Sequence, residues 1–163
     1  MLPSNEIRTR LSDINTLYIS ETDTIKALLW AKLAALEVGG WTEECIDKII
    51  TDFVISKNTP SKDKILERLK RIYGFKYSTE FRSIVVETIG TIYFDKIEGL
   101  ITLDCQKLES ALTELKSSRD ISAHTYTKID SAIDAPSKMI DLLNKIEAGL
   151  YSFNQKLYEL NFT

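Results

Sequence analysis

Apolar residues recur along this chain at steps of three and four, and runs that alternate apolar with polar are scarce. That spacing is the signature of helices with one buried face. The cleanest case lies near the end, where Met139, Leu143, Ile146, Leu150, Phe153, Leu157 and Leu160 form one seam of the bundle or coiled-coil type. Packing on neighbouring helices is the simpler expectation for so short a seam. A first helix is predicted after Ser4, with Ile7, Leu11, Ile14 and Tyr18 on one face. "SETD" supplies capping residues for a second, from about Thr24 to Ile55, which carries Ile25, Leu28, Leu29, Leu33 and Leu36 and then Ile46, Ile49, Ile50, Phe53 and Val54. Gly39-Gly40 interrupts it. We expect one long helix with a local irregularity, Thr42 being able to cap a restart.

A third helix is expected to begin at Pro60-Ser61 and to close at Gly74 in a left-handed cap. A fourth follows Ser78 and buries Phe81, Val85, Ile89, Ile92 and Tyr93. A fifth starts near Asp104 with Leu108, Leu112 and Leu115 inward, and runs into "SSRDISAHTYTK". "IDSAIDAP" then leads to the final helix. The expectation is an all-α, up-and-down bundle of five to six helices, one domain over residues 1–163.

Composition narrows the classes of function. Apolar residues make up 44% and charged residues 28%, as in an ordinary folded chain. A net charge of −3 gives no global attraction to nucleic acid or anionic lipid, so any RNA binding must be local. Cys45 and Cys105 have no metal or redox spacing, which suits a reducing compartment. "MLPSNEIRTRLSD" turns polar too early for a signal peptide, and no apolar run is long enough to cross a membrane. A cytoplasmic protein is expected, and the "NFT" at Asn161 is read as a chance match to the glycosylation triplet. No cofactor or metal is expected: glycine-rich phosphate loops, nucleophile elbows and metal-ligand sets are missing from the sequence.

Candidate chemistry gathers in "RDISAHTY", which holds His124, the one histidine. An imidazole exchanges protons near neutrality, and a guanidinium matches a phosphate. Metal-free RNA cleavage needs a base for the ribose 2′-OH, an acid for the leaving 5′-oxygen and a cation for the phosphorane. One histidine does not comfortably serve as both acid and base, so a catalytic motif of this kind calls for a symmetric dimer. Five residues of regular helix rotate a side chain by roughly 140°. Arg119 is therefore expected at a helix end or bend, with Ser117 or Ser118 capping a new start. Asp120, four residues before His124, is placed to orient the imidazole, and Tyr126 to touch phosphate or base.

"RDISAHTY" resembles the signature of the HEPN superfamily (higher eukaryote and prokaryote nucleotide-binding domains): arginine, a polar residue, three variable residues, histidine. Arg119, Asp120 and His124 fill those positions, Ala123 is the frequent small residue before the histidine, and Tyr126 matches the tyrosine of an extended form. "LAALEVGGWTEECIDKII" resembles, more weakly, the second helix of a bacterial subgroup. The resemblance implies a helical bundle carrying the motif late in the chain, and a homodimeric, metal-independent endoribonuclease acting as a toxin, in antiphage defence or in RNA processing. It implies Arg119 and His124 as catalytic residues, with Asp120 and Tyr126 supporting. In the extended branch a nucleotidyltransferase antitoxin can modify the tyrosine. The alternatives are a non-catalytic HEPN-like module that binds RNA, nucleotide or protein, and a bundle that only oligomerises.

Other prominent residues are expected to be structural. Trp30 and Trp41 read as core or interface. Glu37, Glu43 and Glu44 read first as a solvated face, with an acidic cluster near the site as the lesser reading. Lys62, Lys64, Arg68, Lys70 and Arg71 form a basic flank interrupted by Asp63 and Glu67, again a solvated face before an RNA guide.

Overall fold

The computed structural model describes residues 3–57, 60–124 and 133–160, the His124 side chain excepted. Seven α-helices and one π-helical turn occur among them: α1 (Asn5–Ser20), α2 (Thr24–Lys57), α3 (Lys62–Leu69), the π turn (Tyr77–Phe81), α4 (Arg82–Ile89), α5 (Thr91–Leu100), α6 (Thr102–His124) and α7 (Pro136–Glu159). The class is all-α, with more helices than the expected five to six. Among the described residues, no helix is long and apolar enough to cross a membrane.

The four long helices make the frame. α2, α6 and α7 pack on one another, and α1 packs on α2 and α7. Asp23 caps α2, its Oδ1 accepting the Ile25 and Lys26 amides at 2.8 and 3.3 Å. α6 and α7 run antiparallel, tied at one end by Lys138 to Glu114 (2.7 Å) and by the Ser118 hydroxyl to Asp134 (2.5 Å). Burial opposes ionisation of Asp134, but the Ser118 hydroxyl and Lys138 together hold its carboxyl below the usual range. Farther along the pair, Gly149 lies against Leu108, where an added Cβ would stand 2.7 Å from the Leu108 Cβ. Only glycine permits that approach. The α7 seam is buried throughout, from Met139 to Leu157 at 0% exposure and Leu160 at 7%. Phe153 meets Phe81 and Phe94 with ring centroids 5.0 and 6.0 Å away.

The short elements depart from expectation for local reasons. α3 ends at Leu69, before the expected Gly74. Gly74 does take a left-handed φ of 121°, but in the connection beyond the helix. The expected fourth helix is three pieces. It opens with the π turn, in which the Phe81 and Glu80 amides both donate to the Lys76 carbonyl. Gly90, at φ 83°, then breaks the rest into α4 and α5. Past this break the expected face is lost, and Ile92 is 82% exposed.

α2 brings the largest correction. It runs unbroken through Gly39-Gly40, and Thr42 caps no restart: it is fully buried, and its hydroxyl donates to the Val38 carbonyl one turn back at 2.8 Å. Its first half does not bury the large residues expected. Ala31, Ala34, Ala35 and Val38 face the core, whereas Ile25, Leu29, Leu33 and Leu36 are 56%, 57%, 36% and 43% exposed.

Candidate functional site

Arg119 lies inside α6, five residues before its last residue, not at an end or bend. The helix passes straight through Ser117 and Ser118. Ser118 caps nothing; it is buried against the start of α7, and its carbonyl accepts the Ser122 hydroxyl at 2.7 Å. A continuous helix keeps the rotation of roughly 140° between positions 119 and 124. Within one chain, positions 119 and 124 therefore lie on different faces of α6.

Three residues from two parts of the chain, α2 and the connection after α3, hold the Arg119 side chain. Its NH1 donates to Glu43 Oε1 on α2 at 2.6 Å, with both side chains about one-third exposed (32% and 30%). Its guanidinium carbon stands 5.5 Å from the centre of the Phe75 ring, and Phe75 itself is fully buried. Its stem crosses α2 at Gly39, where an added Cβ would lie 3.0 Å from Arg119 Cδ. The apparent helix interruption in "VGGW" is thus a groove for an arginine. Gly39, Glu43 and Phe75 are the site residues that sequence reasoning placed elsewhere or passed over. The signal was the glycine pair within an otherwise unbroken helical pattern.

Asp120 points to another partner. Lys116, one turn earlier, meets its carboxylate at 3.1 Å, and the Asp120 side chain is 51% exposed. The His124 side chain and all of Tyr126 lie outside the described residues.

The surroundings of Arg119 are acidic. A cleft of about 290 Å³ that shares Glu43 with this seat is lined by four carboxylates, Glu43, Glu44, Asp47 and Glu80, and by one cation, Lys70. Burial first, then the charges of Glu43 and Glu44, raise the Asp47 carboxyl above its ordinary value. On the other side of Gly40 and Glu44, a second cleft of about 480 Å³ is bordered by Glu6, Arg10, Glu37 and Trp41. Among the described residues, no three His, Cys, Asp or Glu side chains stand close enough to share a metal ion. The expected basic flank is partly neutralised, since Arg68 meets Glu87 and Lys70 meets Glu67. Trp30 and Trp41 pack with the core, as expected, their indole nitrogens buried without a hydrogen-bond acceptor among the described residues.

No family model, curated protein or solved structure matches the chain.

Proposed function

We propose that this chain is a metal-independent endoribonuclease of the HEPN type, acting as a homodimer in the cytoplasm. Arg119 holds the scissile phosphate, and His124 transfers the proton. The 2′-OH attacks the adjacent phosphorus after losing its proton, and the 5′-oxygen leaves with one, giving a 2′,3′-cyclic phosphate and a 5′-hydroxyl. Tyr126 assists contact with the substrate. Asp120 orients His124, for which its carboxylate has to turn from Lys116. A toxin or antiphage role, with an antitoxin such as a nucleotidyltransferase, is the setting that goes with this activity.

The observation that carries the reading is the seat of Arg119. Gly39 gives it room, Phe75 underlies its guanidinium and Glu43 aims it through NH1. A guanidinium has five N–H donors, so one carboxylate orients it without consuming it. An arginine already ordered in this way loses less freedom on meeting a phosphate. The divergence of positions 119 and 124 on a straight helix also favours a site in which one chain supplies Arg119 and the other His124.

A second reading rests on the carboxylates. Glu43, Glu44, Asp47 and Glu80 around the cleft repel a phosphate chain, and the Arg119–Glu43 pair also serves as a plain clamp between α2 and α6. This favours a non-catalytic module that binds RNA, nucleotide or protein. Purified protein incubated with RNA in EDTA separates the two. The nuclease reading expects cyclic-phosphate products and a loss of about 10²–10⁴-fold on His124→Ala. Cleavage that needs a divalent metal or survives His124→Ala overturns it, and binding without turnover selects the second reading.

A further inference from the structure

The first half of α2 is built inside out. Its core-facing residues, Ala31, Ala34, Ala35 and Val38, are small and at most 2% exposed. Its solvent-facing residues Ile25, Leu29, Leu33 and Leu36 are large, and their steps of four, four and three keep them in one stripe. A helix that is apolar on both faces belongs to a structure covering both, and a contiguous apolar patch marks an interaction surface. Core packing does not explain the stripe, because the core is already filled on the opposite side.

The charges on α2 indicate what covers it. Along the stripe, from Ile25 to Glu37, the cations Lys26 and Lys32 come before the carboxylate Glu37. A second α2 lying parallel would set like charges side by side. An antiparallel one, related by a twofold axis midway between Leu29 and Leu33, sets the Lys26 end of one stripe against the Glu37 end of the other. In that register Leu29 meets Leu33, and the Ile25–Lys26 turn comes level with the Leu36–Glu37 turn of the other copy. Lys26 and Glu37 both lie on the flank of the stripe nearer α1, so a perpendicular twofold brings them to the same side. Glu37 contacts its own Arg10 through Oε2 at 3.1 Å, which leaves its second oxygen for Lys26.

We infer that a second copy of this chain covers the outer stripe of α2, antiparallel and about a twofold axis, with Leu29 against Leu33 at its centre. The pairing stands on the stripe and its charges, and holds for a catalytic or a non-catalytic chain alike. It sits on the same helix as Gly39 and Glu43, so the Arg119 seat borders the interface.

Sedimentation of the full chain tests it. The wild type is expected at twice its 18.6 kDa mass. Leu29→Glu with Leu33→Glu is expected to be a monomer with unchanged helical circular dichroism, since Leu29 is 57% and Leu33 36% exposed in the single chain. A mixture of Leu29→Cys and Leu33→Cys proteins is expected to form a mixed disulfide under mild oxidation more readily than either protein does alone; Cys45 and Cys105 are buried. A wild type that stays monomeric at all concentrations overturns the inference. So does a dimer that persists in the glutamate variant, or a Leu29→Cys protein that links fastest to itself. A dimer of the expected kind without RNA cleavage leaves the pairing intact and counts against the nuclease alone.

Discussion

α7 and the first half of α2 have similarly regular apolar spacing, yet they use it in opposite ways. Every large residue of the α7 seam points inward and is closed off, whereas Ile25, Leu29, Leu33 and Leu36 of α2 point out and alanines take the inside. The difference lies in what stands opposite each helix. α7 meets α1, α2, α5 and α6, and its seam fills the space among them. α2 must admit α1, α6 and α7 closely along much of its length, and small side chains permit that approach. Spacing reports that a face exists; the size of the neighbours' gap decides which face is used.

The sharpest test removes one residue from each pattern. Phe153→Ala on α7 is expected to cost about 3–5 kcal/mol, because it empties a fully enclosed site between Phe81 and Phe94. Leu29→Ala on α2, measured in dilute protein, is expected to stay within about 0.5 kcal/mol of wild type. Urea unfolding of both variants decides it, and comparable losses would abolish the contrast.

The glycines extend the comparison at a smaller scale. Gly149→Ala is expected to destabilise by about 1–3 kcal/mol, since its methyl collides with Leu108 across the α6–α7 contact. Gly40→Ala on α2 meets nothing within 4 Å and is expected to stabilise by about 0.5–1 kcal/mol. Thermal melts of the two should move in opposite directions.

The smallest effect concerns charge on the later part of α2. Asp47 has a raised carboxyl pKa in the folded chain, caused by burial and by Glu43 and Glu44. The folded state therefore holds its proton more tightly than the unfolded state does, and ionisation costs stability. That cost is complete above the raised value and vanishes as pH falls below the ordinary 3.8. Asp47→Asn is expected to raise the melting temperature slightly at neutral pH and to lose that advantage as pH approaches 3.8. A gain independent of pH would assign the effect to packing.

Much of the frame could be read without coordinates. α1, the Asp23 cap, the long α2, the inward Leu108, Leu112 and Leu115 of α6 and the α7 seam all follow from local spacing and capping chemistry. The site was less legible. Arg119 stands out in the sequence through its distance from His124, but its partners, Gly39, Glu43 and Phe75, lie on other elements at long sequence separation. Glu43 looks like any solvated glutamate until α6 crosses it. Gly39 looks like a helix breaker until the Arg119 stem is seen to occupy the space where its side chain would be.

By itself the sequence determined where this chain is helical and that α7 has one buried face, because hydrogen bonding and side-chain period are local properties of a helix. Only the tertiary structure decided which face of the first half of α2 turns inward and that Gly39 makes room for an arginine. Those outcomes depend on how closely two helices approach, and that distance is set jointly by residues far apart in the sequence.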